Sequence, residues 1–366
     1  MKTLHIGVVG CGTISHTYLT NLKRFAFVKV EAVCDLSAEL AKARAEEFGI
    51  KRILTLDEIL SDPTIDLILN LTPPAGHYPI TKRALEAGKH AFSEKPVAIR
   101  REESRELLEL ARKKNLRLGC APDTVLGGGI QTARKLIDDG WIGRPLAASA
   151  FMLSPGVESW HPNPDFYYQE GAGPLYDMGP YYLTALFQLL GPIAEVAGMT
   201  SRGYAERTIT TEKRFGEKIA VNVDTHTSVS LRFANGALGT LITSFEVRKS
   251  SLPRIEIYGE TGSLIVPDPN NFGGGTLYAP NRKAEWQEMP VVFPYQDSFR
   301  GLGLAEMASA ILNDRPHRAN GDIAHHVLDV ISAVYESSAG KCFLSPETQP
   351  ERPSPMPLNI TEGMLD

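Results

Sequence analysis

Several features that define other classes of protein are scarce in this sequence. Its 366 residues include four cysteines, which form neither a CxxC pair nor the ligand spacing of a metal site. The nine histidines form no HExxH-like cluster. We therefore expect no metal centre, and we expect reduced cysteines that pack as small apolar residues. These cysteines are Cys11, Cys34, Cys120 and Cys342.

An excess of charge and long apolar runs are lacking as well. Lysine and arginine number 38 against 43 aspartates and glutamates, and this net charge of −5 favours neither nucleic acid nor an anionic membrane as a partner. No apolar run reaches the ~18 residues of a membrane span. The N-terminus also lacks the basic start and long apolar stretch of a signal peptide. We expect a cytoplasmic protein.

The chain does contain enough apolar material for two globular domains, since 43% of its residues are hydrophobic. Strand and helix patterns alternate at first, which predicts a parallel sheet with helices on both faces over residues 1–122. Neighbouring strand patterns with short turns then predict an α+β domain with an antiparallel sheet over residues 123–345. Residues 346–366 are rich in proline and are predicted to be an extended or loosely ordered tail.

A glycine-rich turn follows the first apolar strand, in the sequence LHIGVVGCGTIS that starts at residue 4. Gly10 permits a tight turn, Gly12 lets a pyrophosphate approach the backbone, and Ser15 keeps the helix close to the strand. The following helix would direct the free N–H groups of Thr13 and Ile14 at that pyrophosphate. The stretch predicts a dinucleotide site; the alternative is an ordinary strand–turn–helix connection.

The second strand of this unit, VKVEAVCD, ends in an acidic residue. Asp35 lies 23 residues beyond Gly12. A carboxylate at this position accepts hydrogen bonds from the ribose hydroxyls of NAD and repels the 2′-phosphate of NADP. We therefore expect NAD as the cofactor in preference to NADP.

A lysine stands at the end of a later strand, where Lys95 precedes Pro96. A lysine whose pKa is lowered by hydrophobic or cationic surroundings can take a proton from an alcohol as hydride leaves for a nicotinamide. In the reverse direction its ammonium serves as the acid. Lys95 is thus the candidate acid–base residue; the alternative is a surface lysine that follows a strand.

A second cluster, GAGPLYDMGPYYL, starts at Gly171 and reads as a loop that enters a helix. Asp177 and Tyr181 are four residues apart, so one helical turn would bring them to the same face. A carboxylate and a phenol presented together can bind vicinal sugar hydroxyls and help to move a proton. The alternative is a helix cap together with a core aromatic.

An aromatic stretch, WHPNPDF, precedes that cluster. Trp160 is suited to stack on a sugar face, and His161 is suited to bind sugar hydroxyls, which makes the stretch a candidate substrate rim. Asp123, just past the last strand of the first domain, is a further candidate for the same rim. The alternative is a packed aromatic loop without a ligand.

In this order the motifs resemble a known family. The glycine-rich turn, the acidic strand end, N-x-T-P-P-x-x-H, E-K-P and G-x-G-x-L-x-D-x-G-x-Y are similar to those of the glucose–fructose oxidoreductase, inositol dehydrogenase and MocA (Gfo/Idh/MocA) family. The similarity extends from Gly7 to about Ser338. It implies an α/β Rossmann domain followed by an α+β domain with an open, mainly antiparallel sheet that makes oligomer contacts.

The resemblance also implies roles for individual residues. It makes Lys95 the catalytic lysine and Asp177 a carboxylate of the substrate site. Many family members have His where this chain has Tyr181, and others have Tyr. Because a phenol with an ordinary pKa of ~10 is a poor base at neutral pH, we expect Tyr181 to donate or relay a proton beside Lys95. The residues implied on the cofactor side are Asn70, Thr72, Pro73, His77, Glu94 and Lys95.

Together these features predict an NAD-dependent oxidoreductase that acts on a secondary hydroxyl of a sugar, polyol or glycoside, as a homodimer or homotetramer. One alternative is an enzyme that keeps NAD bound and recycles it, in sugar–sugar oxidoreduction or oxidation-assisted glycoside cleavage. The other is a ligand sensor or corepressor that has the fold without catalysis. The presence of both Lys95 and Asp177 argues against the sensor.

Overall fold

In a computed structural model of the protein, which describes residues 2–366, the first six strands form one parallel sheet. They are β1 (Leu4–Val9), β2 (Val28–Cys34), β3 (Arg52–Ile53), β4 (Leu67–Asn70), β5 (His90–Ser93) and β6 (Leu118–Cys120). Their spatial order is β3-β2-β1-β4-β5-β6. The order reverses between β1 and β4, and ligands of such sheets bind outside the carboxyl ends of the strands at this point. The predicted Rossmann architecture is confirmed.

Five helices alternate with these strands: α1 (Thr13–Leu22), α2 (Ala38–Phe48), α3 (Leu56–Ser61), α4 (Pro74–Glu86) and α5 (Arg101–Lys113). Helix α2 begins after Ser37, whose side chain accepts a hydrogen bond from the Leu40 N–H, and ends at Gly49 in the left-handed conformation. Helix α4 begins at Pro74, shortly after the end of β4. Pro73 is its N-cap, so His77 lies inside the helix rather than in a loop. Proline suits the first turn of a helix, where its missing N–H costs nothing.

Ten further strands follow in the second part of the chain. They are β7 (Pro145–Leu153), β8 (Ile193–Ser201), β9 (Glu206–Thr208), β10 (Lys218–Ala220), β11 (His226–Phe233), β12 (Leu238–Ser244), β13 (Ile255–Gly259), β14 (Ser263–Val266), β15 (Thr276–Ala279) and β16 (Gln287–Met289). Eight of them form a second sheet in the order β16-β15-β14-β13-β7-β12-β11-β8, and β9 pairs with β10 separately. All neighbours in the large sheet are antiparallel except β7 and β12. The expected open, mainly antiparallel sheet is confirmed.

Asn235 and Gly236 form the hairpin turn between β11 and β12. Gly236 has a φ of +90°, a conformation that glycine adopts without strain. Along β11 the side chains alternate between buried and exposed, as expected for a strand with one covered face. The sequence analysis did not predict β9, β10, β15 or β16, which have only three or four residues each.

Five helices belong to the rest of the chain: α6 (Gly128–Asp138), α7 (Pro174–Asp177), α8 (Gly179–Leu190), α9 (Leu302–Leu312) and α10 (Gly321–Gly340). Every residue of α8 is buried. Helix α9 was not predicted; it packs against α1 and β6, while α10 packs against α5, α8 and β8. The chain therefore returns to the first sheet after it has completed the second one. None of the helices within residues 2–366 combines the length and the apolar character that crossing a membrane requires.

Three of the four cysteines are buried, as their expected packing role requires, whereas Cys342 is exposed. All four are free thiols. The exposed thiol contradicts the expectation that every cysteine packs in the interior, because Cys342 follows the end of α10 at the surface. Across residues 2–366, no group of His, Cys, Asp and Glu side chains is arranged to hold a metal ion.

The proline-rich tail runs extended along the protein and is held by specific contacts. Met356 is 2% exposed, and its N–H donates to Gln131 Oε1. The Arg318 guanidinium binds the Asp366 carboxylate at 2.7 Å and the buried Glu306 carboxylate at 2.7 Å. The tail is thus extended but not loosely ordered.

We expect Arg318→Ala to lower the free energy of unfolding by about 3 kcal/mol, because Glu306 is fully buried and loses one of its two cations. Urea unfolding of the variant and the parent protein measures the difference. Arg282→Ala, which changes an exposed arginine, is the control and should leave the transition unchanged. Equal stability of R318A and the parent would contradict the role given to this anchor.

Candidate active site

The glycine-rich turn connects β1 to α1 at the carboxyl edge of the first sheet. Gly10 has a φ of +101°, and a Cβ atom there would lie 2.7 Å from the Leu71 carbonyl carbon, so glycine is required. At Gly12, in contrast, a Cβ would meet no protein atom within 4 Å, which leaves open space above the backbone. Ser15 is fully buried, and its hydroxyl donates to the Gly12 carbonyl at 2.6 Å. The turn is therefore packed against the Leu71 backbone at Gly10 and open to a ligand at Gly12.

Helix α1 begins at this turn without a side-chain cap. The N–H groups of Thr13 and Ile14 consequently have no partner inside the helix. Beside them, the Asp35 carboxylate accepts hydrogen bonds from the Cys11 N–H at 2.6 Å and the Ser37 N–H at 2.8 Å. Open space, uncapped N–H groups and a fixed carboxylate fit the pyrophosphate and ribose of a dinucleotide.

A buried polar network supports the next strand end. Asn70 is fully buried at the end of β4; its Nδ2 donates to the His77 carbonyl at 3.1 Å, and its Oδ1 accepts from the Thr72 hydroxyl at 2.7 Å. The His77 ring lies between the carbonyls of Pro96 and Thr72, at 2.6 and 2.7 Å. Burial lowers the pKa of His77, while the two carbonyl contacts act to raise it. The side chains of Asn70 and His77 thus fix the backbone that follows β4 and, through Pro96, the backbone that follows β5.

Lys95 follows β5, and its side chain crosses to α7. Its Nζ donates to Asp177 Oδ1 at 2.7 Å and to the Asp177 carbonyl at 2.5 Å. The two side chains remain 14% and 20% exposed. An ammonium has three N–H donors, which leaves one N–H of Lys95 for a further oxygen.

The protonation of Lys95 differs from the expectation. Burial is the largest single effect and acts to lower the pKa of Lys95, but Asp177, Tyr181 and Glu94 together outweigh it, and the pKa lies above its ordinary value. The prediction of a lysine with a lowered pKa is therefore wrong, because its nearest charged neighbour is acidic. At neutral pH Lys95 is an ammonium that can give up a proton.

Tyr181 lies next to this pair, although not on the same helical turn as Asp177. Asp177 ends α7, Met178 connects the two helices, and Tyr181 belongs to the first turn of α8. The Lys95 Nζ is 5.1 Å from the centre of the Tyr181 ring. Burial raises the pKa of Tyr181 despite the nearby cations, so the phenol keeps its proton. The structure thus brings together the three residues that the sequence predicted as catalytic.

Arg300 also belongs to this cluster and was not predicted. Its Nη1 donates to the Tyr181 hydroxyl at 3.0 Å, and its Nη2 donates to Asn270 Oδ1 at 2.7 Å. Arg300 lies 119 positions after Tyr181, in an irregular segment that leads into α9. No local pattern marks it, since only the fold brings it to the phenol.

Glu94 lies between Lys95 and helix α1, which follows the glycine-rich turn. Its Oε1 accepts from the Tyr18 hydroxyl of α1 at 2.7 Å, and its Oε2 accepts from the Lys95 main-chain N–H at 3.1 Å. Glu94 thus connects α1 to the backbone of Lys95, and its role on the cofactor side stays a prediction.

Asp123 does not lie on an exposed substrate rim, and that prediction is wrong. The residue is fully buried, and its Oδ2 accepts from the N–H groups of Gly301 at 2.8 Å and Gly303 at 3.0 Å. Burial raises the pKa of Asp123 to about 6. The side chain fixes the start of α9, and with it the backbone that carries Arg300.

The aromatic loop before α7 forms a chain of rings. Trp160 is 62% exposed and lies 5.4 Å from the His161 ring, which lies 5.0 Å from the Tyr167 ring. Burial raises the pKa of Tyr167 to about 12, and the charge of Asp177 adds to this effect. Tyr167, which was not predicted, is therefore the member of this loop that lies beside the Lys95–Asp177 pair. Trp160 and His161 extend outward from it.

Two family descriptions match the chain. Residues 4–121 match the model of an oxidoreductase family with an NAD-binding Rossmann fold, and residues 130–265 match the GFO/IDH/MocA C-terminal domain. The first match covers the glycine-rich turn and Lys95, and the second covers Asp177 and Tyr181.

Characterised relatives agree with these matches. A 1,5-anhydro-D-fructose reductase of Ensifer adhaerens is 28% identical over 265 residues, which cover 71% of this chain and 74% of the relative. A levoglucosan dehydrogenase of Pseudarthrobacter phenanthrenivorans is 27% identical over 292 residues, which cover 72% and 74%. Among solved structures, a levoglucosan dehydrogenase in complex with NADH superimposes with a TM-score of 0.80 at 22% identity, over 94% of this chain and 99% of the other. This last similarity establishes the fold.

We expect Asp35→Ser to reduce the preference for NAD over NADP about 10-fold, because it removes the charge that repels the 2′-phosphate. Fluorescence titration of the protein with NADH and with NADPH gives the ratio of the two Kd values. Glu46→Ser changes an exposed carboxylate of α2 and serves as the control, with an unchanged ratio. Equal affinity of the parent protein for both cofactors would contradict the role of Asp35.

Proposed function

The chain belongs to the GFO/IDH/MocA family of oxidoreductases, and from this membership we propose that it transfers hydride between NAD and a secondary hydroxyl of a sugar, polyol or glycoside. The observation that carries the proposal is the ion pair of Lys95 and Asp177, 2.7 Å between Nζ and Oδ1, at the carboxyl edge of the Rossmann sheet. A titratable pair at this edge is what hydride transfer requires, since the substrate oxygen must gain or lose a proton.

Lys95 carries that proton. NAD, when bound, supplies the acceptor or donor of hydride at the substrate carbon. In reduction, the unused N–H of Lys95 gives its proton to the carbonyl oxygen as the carbon receives hydride. In oxidation, the neutral amine takes the proton from the hydroxyl as hydride leaves. Asp177 holds the amine in place and stabilises its protonated form.

The resting protonation state favours the reductive direction at neutral pH. Because the pKa of Lys95 and the pKa of Tyr181 both lie above their ordinary values, both groups hold their protons there. A carbonyl oxygen thus meets two donors, whereas an alcohol needs Lys95 to lose its proton first. We propose reduction of a carbonyl sugar as the direction that this site performs best at neutral pH.

The balance of charge supports a neutral substrate. Glu94, Asp123 and Asp177 face two cations, Lys95 and Arg300, so the site holds no excess positive charge that would attract a sugar acid. The names of the two relatives, a reductase of 1,5-anhydro-D-fructose and a levoglucosan dehydrogenase, agree with this class of ligand.

We further propose a homodimer or homotetramer in the cytoplasm. The face of the second sheet that carries Met199 and Leu238 exposes 76% and 50% of these apolar residues. Met199 in β8 and Leu238 in β12 lie on either side of β11. Exposed apolar side chains on the open face of a sheet are suited to pack against a second copy.

We expect Lys95→Ala to lower kcat by about 10²- to 10⁴-fold, because it removes the proton donor and acceptor. Absorbance at 340 nm follows NADH with a panel of neutral sugars, inositols, glycosides and their keto forms. Affinity for NADH, measured by fluorescence, should stay close to that of the parent protein. Lys113→Ala changes an exposed lysine and is the control with unchanged turnover.

Other results of this assay point to other functions. Unchanged turnover in K95A would contradict the assignment of Lys95. Cofactor that purifies with the protein and changes its spectrum once would indicate a redox cycle without NAD release. Binding of a sugar without any turnover in the parent protein would indicate a sensor.

The raised pKa of Lys95 also predicts the pH dependence. Since oxidation requires the neutral amine, kcat/KM for oxidation should rise with pH through the alkaline range, while reduction should fall there. Asp177→Asn removes the charge that raises this pKa, so the rise for oxidation should move to lower pH by about one unit or more. Glu94 and Tyr181 still face the amine in the variant. An unmoved pH profile in D177N would contradict this account.

A further inference from the structure

In the hydrogen bond between Arg300 and Tyr181, the donor and the acceptor are fixed by the chemistry of the two groups. A guanidinium has five N–H donors and no acceptor, so in the 3.0 Å contact Arg300 donates and the Tyr181 oxygen accepts. A phenol has one proton, and this contact does not use it. Within residues 2–366 the Tyr181 hydroxyl makes no other hydrogen bond, so its O–H remains available to a ligand.

Several contacts hold Arg300 in the position from which it donates to the Tyr181 oxygen. Asn270 Oδ1 accepts from its Nη2 at 2.7 Å, and Asn21 of α1 donates to its carbonyl at 3.0 Å. The N–H of the next residue, Gly301, donates to Asp123. Contacts from three separate segments thus fix both the backbone and the guanidinium.

The guanidinium makes no ion pair in the part of the chain that the structure describes, although its side chain is partly buried. Its centre lies 5.4 Å from the middle of the Tyr181 ring, and the Lys95 Nζ lies 5.1 Å from the same point. Both cations therefore interact with one phenol, and Arg300 also donates to the oxygen. Glu94 and Asp123 act on this guanidinium through their charge, whereas its direct hydrogen bond goes to the Tyr181 oxygen.

We infer that Arg300 is a positioning residue that holds the Tyr181 oxygen as an acceptor, so that the phenolic proton is directed to the substrate oxygen served by Lys95. This inference rests on the proposed function. In reduction, the phenol donates a hydrogen bond to the carbonyl oxygen while Lys95 transfers its proton, and Tyr181 itself keeps its proton. Without Arg300 the hydroxyl can rotate, and its proton is no longer committed to the substrate.

A double-mutant cycle tests whether Arg300 acts through Tyr181. Arg300→Gln and Tyr181→Phe should each lower kcat by about 10- to 100-fold, with a smaller change in KM. In the Y181F background, Arg300→Gln should lower kcat less than about 3-fold further, because the group on which it acts is gone. Arg300→Lys should restore part of the loss, since it can still donate to the phenol. Multiplicative losses in the double variant would overturn the inference.

A second measurement needs no substrate. In protein labelled with ¹³C at Cζ of tyrosine, the Tyr181 resonance is identified by its loss in Y181F. It should move in R300Q, and also in Asn270→Ala, which releases Nη2 of the guanidinium. Arg282→Gln is the control and should leave the resonance in place. A Tyr181 resonance that R300Q does not move would overturn the inference.

The two measurements separate this inference from the proposed function. Absence of turnover in the parent protein with every neutral sugar would contradict the proposed function, and the NMR result would then decide whether Arg300 orients Tyr181. Turnover together with multiplicative losses would leave the proposed function intact and remove the role of Arg300.

Discussion

The ion pair of Lys95 and Asp177 joins residues 82 positions apart and connects the end of β5 to α7. Removing two charges from water is costly, and their attraction offsets this cost only when the geometry is good and further hydrogen bonds are made. Here Lys95 also donates to the Asp177 carbonyl, so the ammonium is bound twice by one residue. The pair remains partly exposed, and in the proposed mechanism the remaining N–H of Lys95 serves the substrate oxygen. The raised pKa of Lys95 depends in part on this contact.

Buried polar side chains set the positions of the segments around that pair. A buried polar group must be hydrogen-bonded, so each one fixes the backbone that satisfies it. Asn70 and His77 fix the loop after β4, and Asp123 fixes the start of α9 through two glycine N–H groups. These residues look like ligand contacts in the sequence because they are polar and lie at strand ends. In the folded protein their hydrogen-bonding capacity is taken up mainly by the backbone.

Local pattern was sufficient to predict the parts of the fold that depend on local physics. The alternation of strands and helices in the first domain follows from periodicity and from backbone preferences, and it is present. The glycine-rich turn identified the dinucleotide side for the same reason. Helix α9 and the short strands β15 and β16 were missed, because few residues and long-range packing leave little local signal.

From the sequence, only those residues of the candidate site that belong to a recognisable motif could be predicted. Lys95, Asp177 and Tyr181 stand in motifs that can be read from the sequence, and the structure brings them together. The pKa of Lys95 could not be predicted correctly, because it depends on which charge lies nearest in space. Arg300 and Tyr167 could not be found for a related reason: their roles come from partners that are distant in the sequence or in a separate motif.

The presence of a phenol, where many family members have an imidazole, has a geometric consequence beside Arg300. In an imidazole the acceptor nitrogen and the donor nitrogen lie on different sides of the ring, so an arginine at one nitrogen would direct the proton away from itself along the ring. In a phenol one oxygen is both the hydrogen-bond donor and the acceptor. A donor such as Arg300 that binds a lone pair of this oxygen therefore turns the O–H away from itself. Burial keeps this phenol protonated, and Lys95 lies 5.1 Å from its ring. In the inferred arrangement Tyr181 and Arg300 form one functional unit: the tyrosine supplies a hydrogen-bond donor whose pKa is raised by burial, and the arginine determines where that donor points.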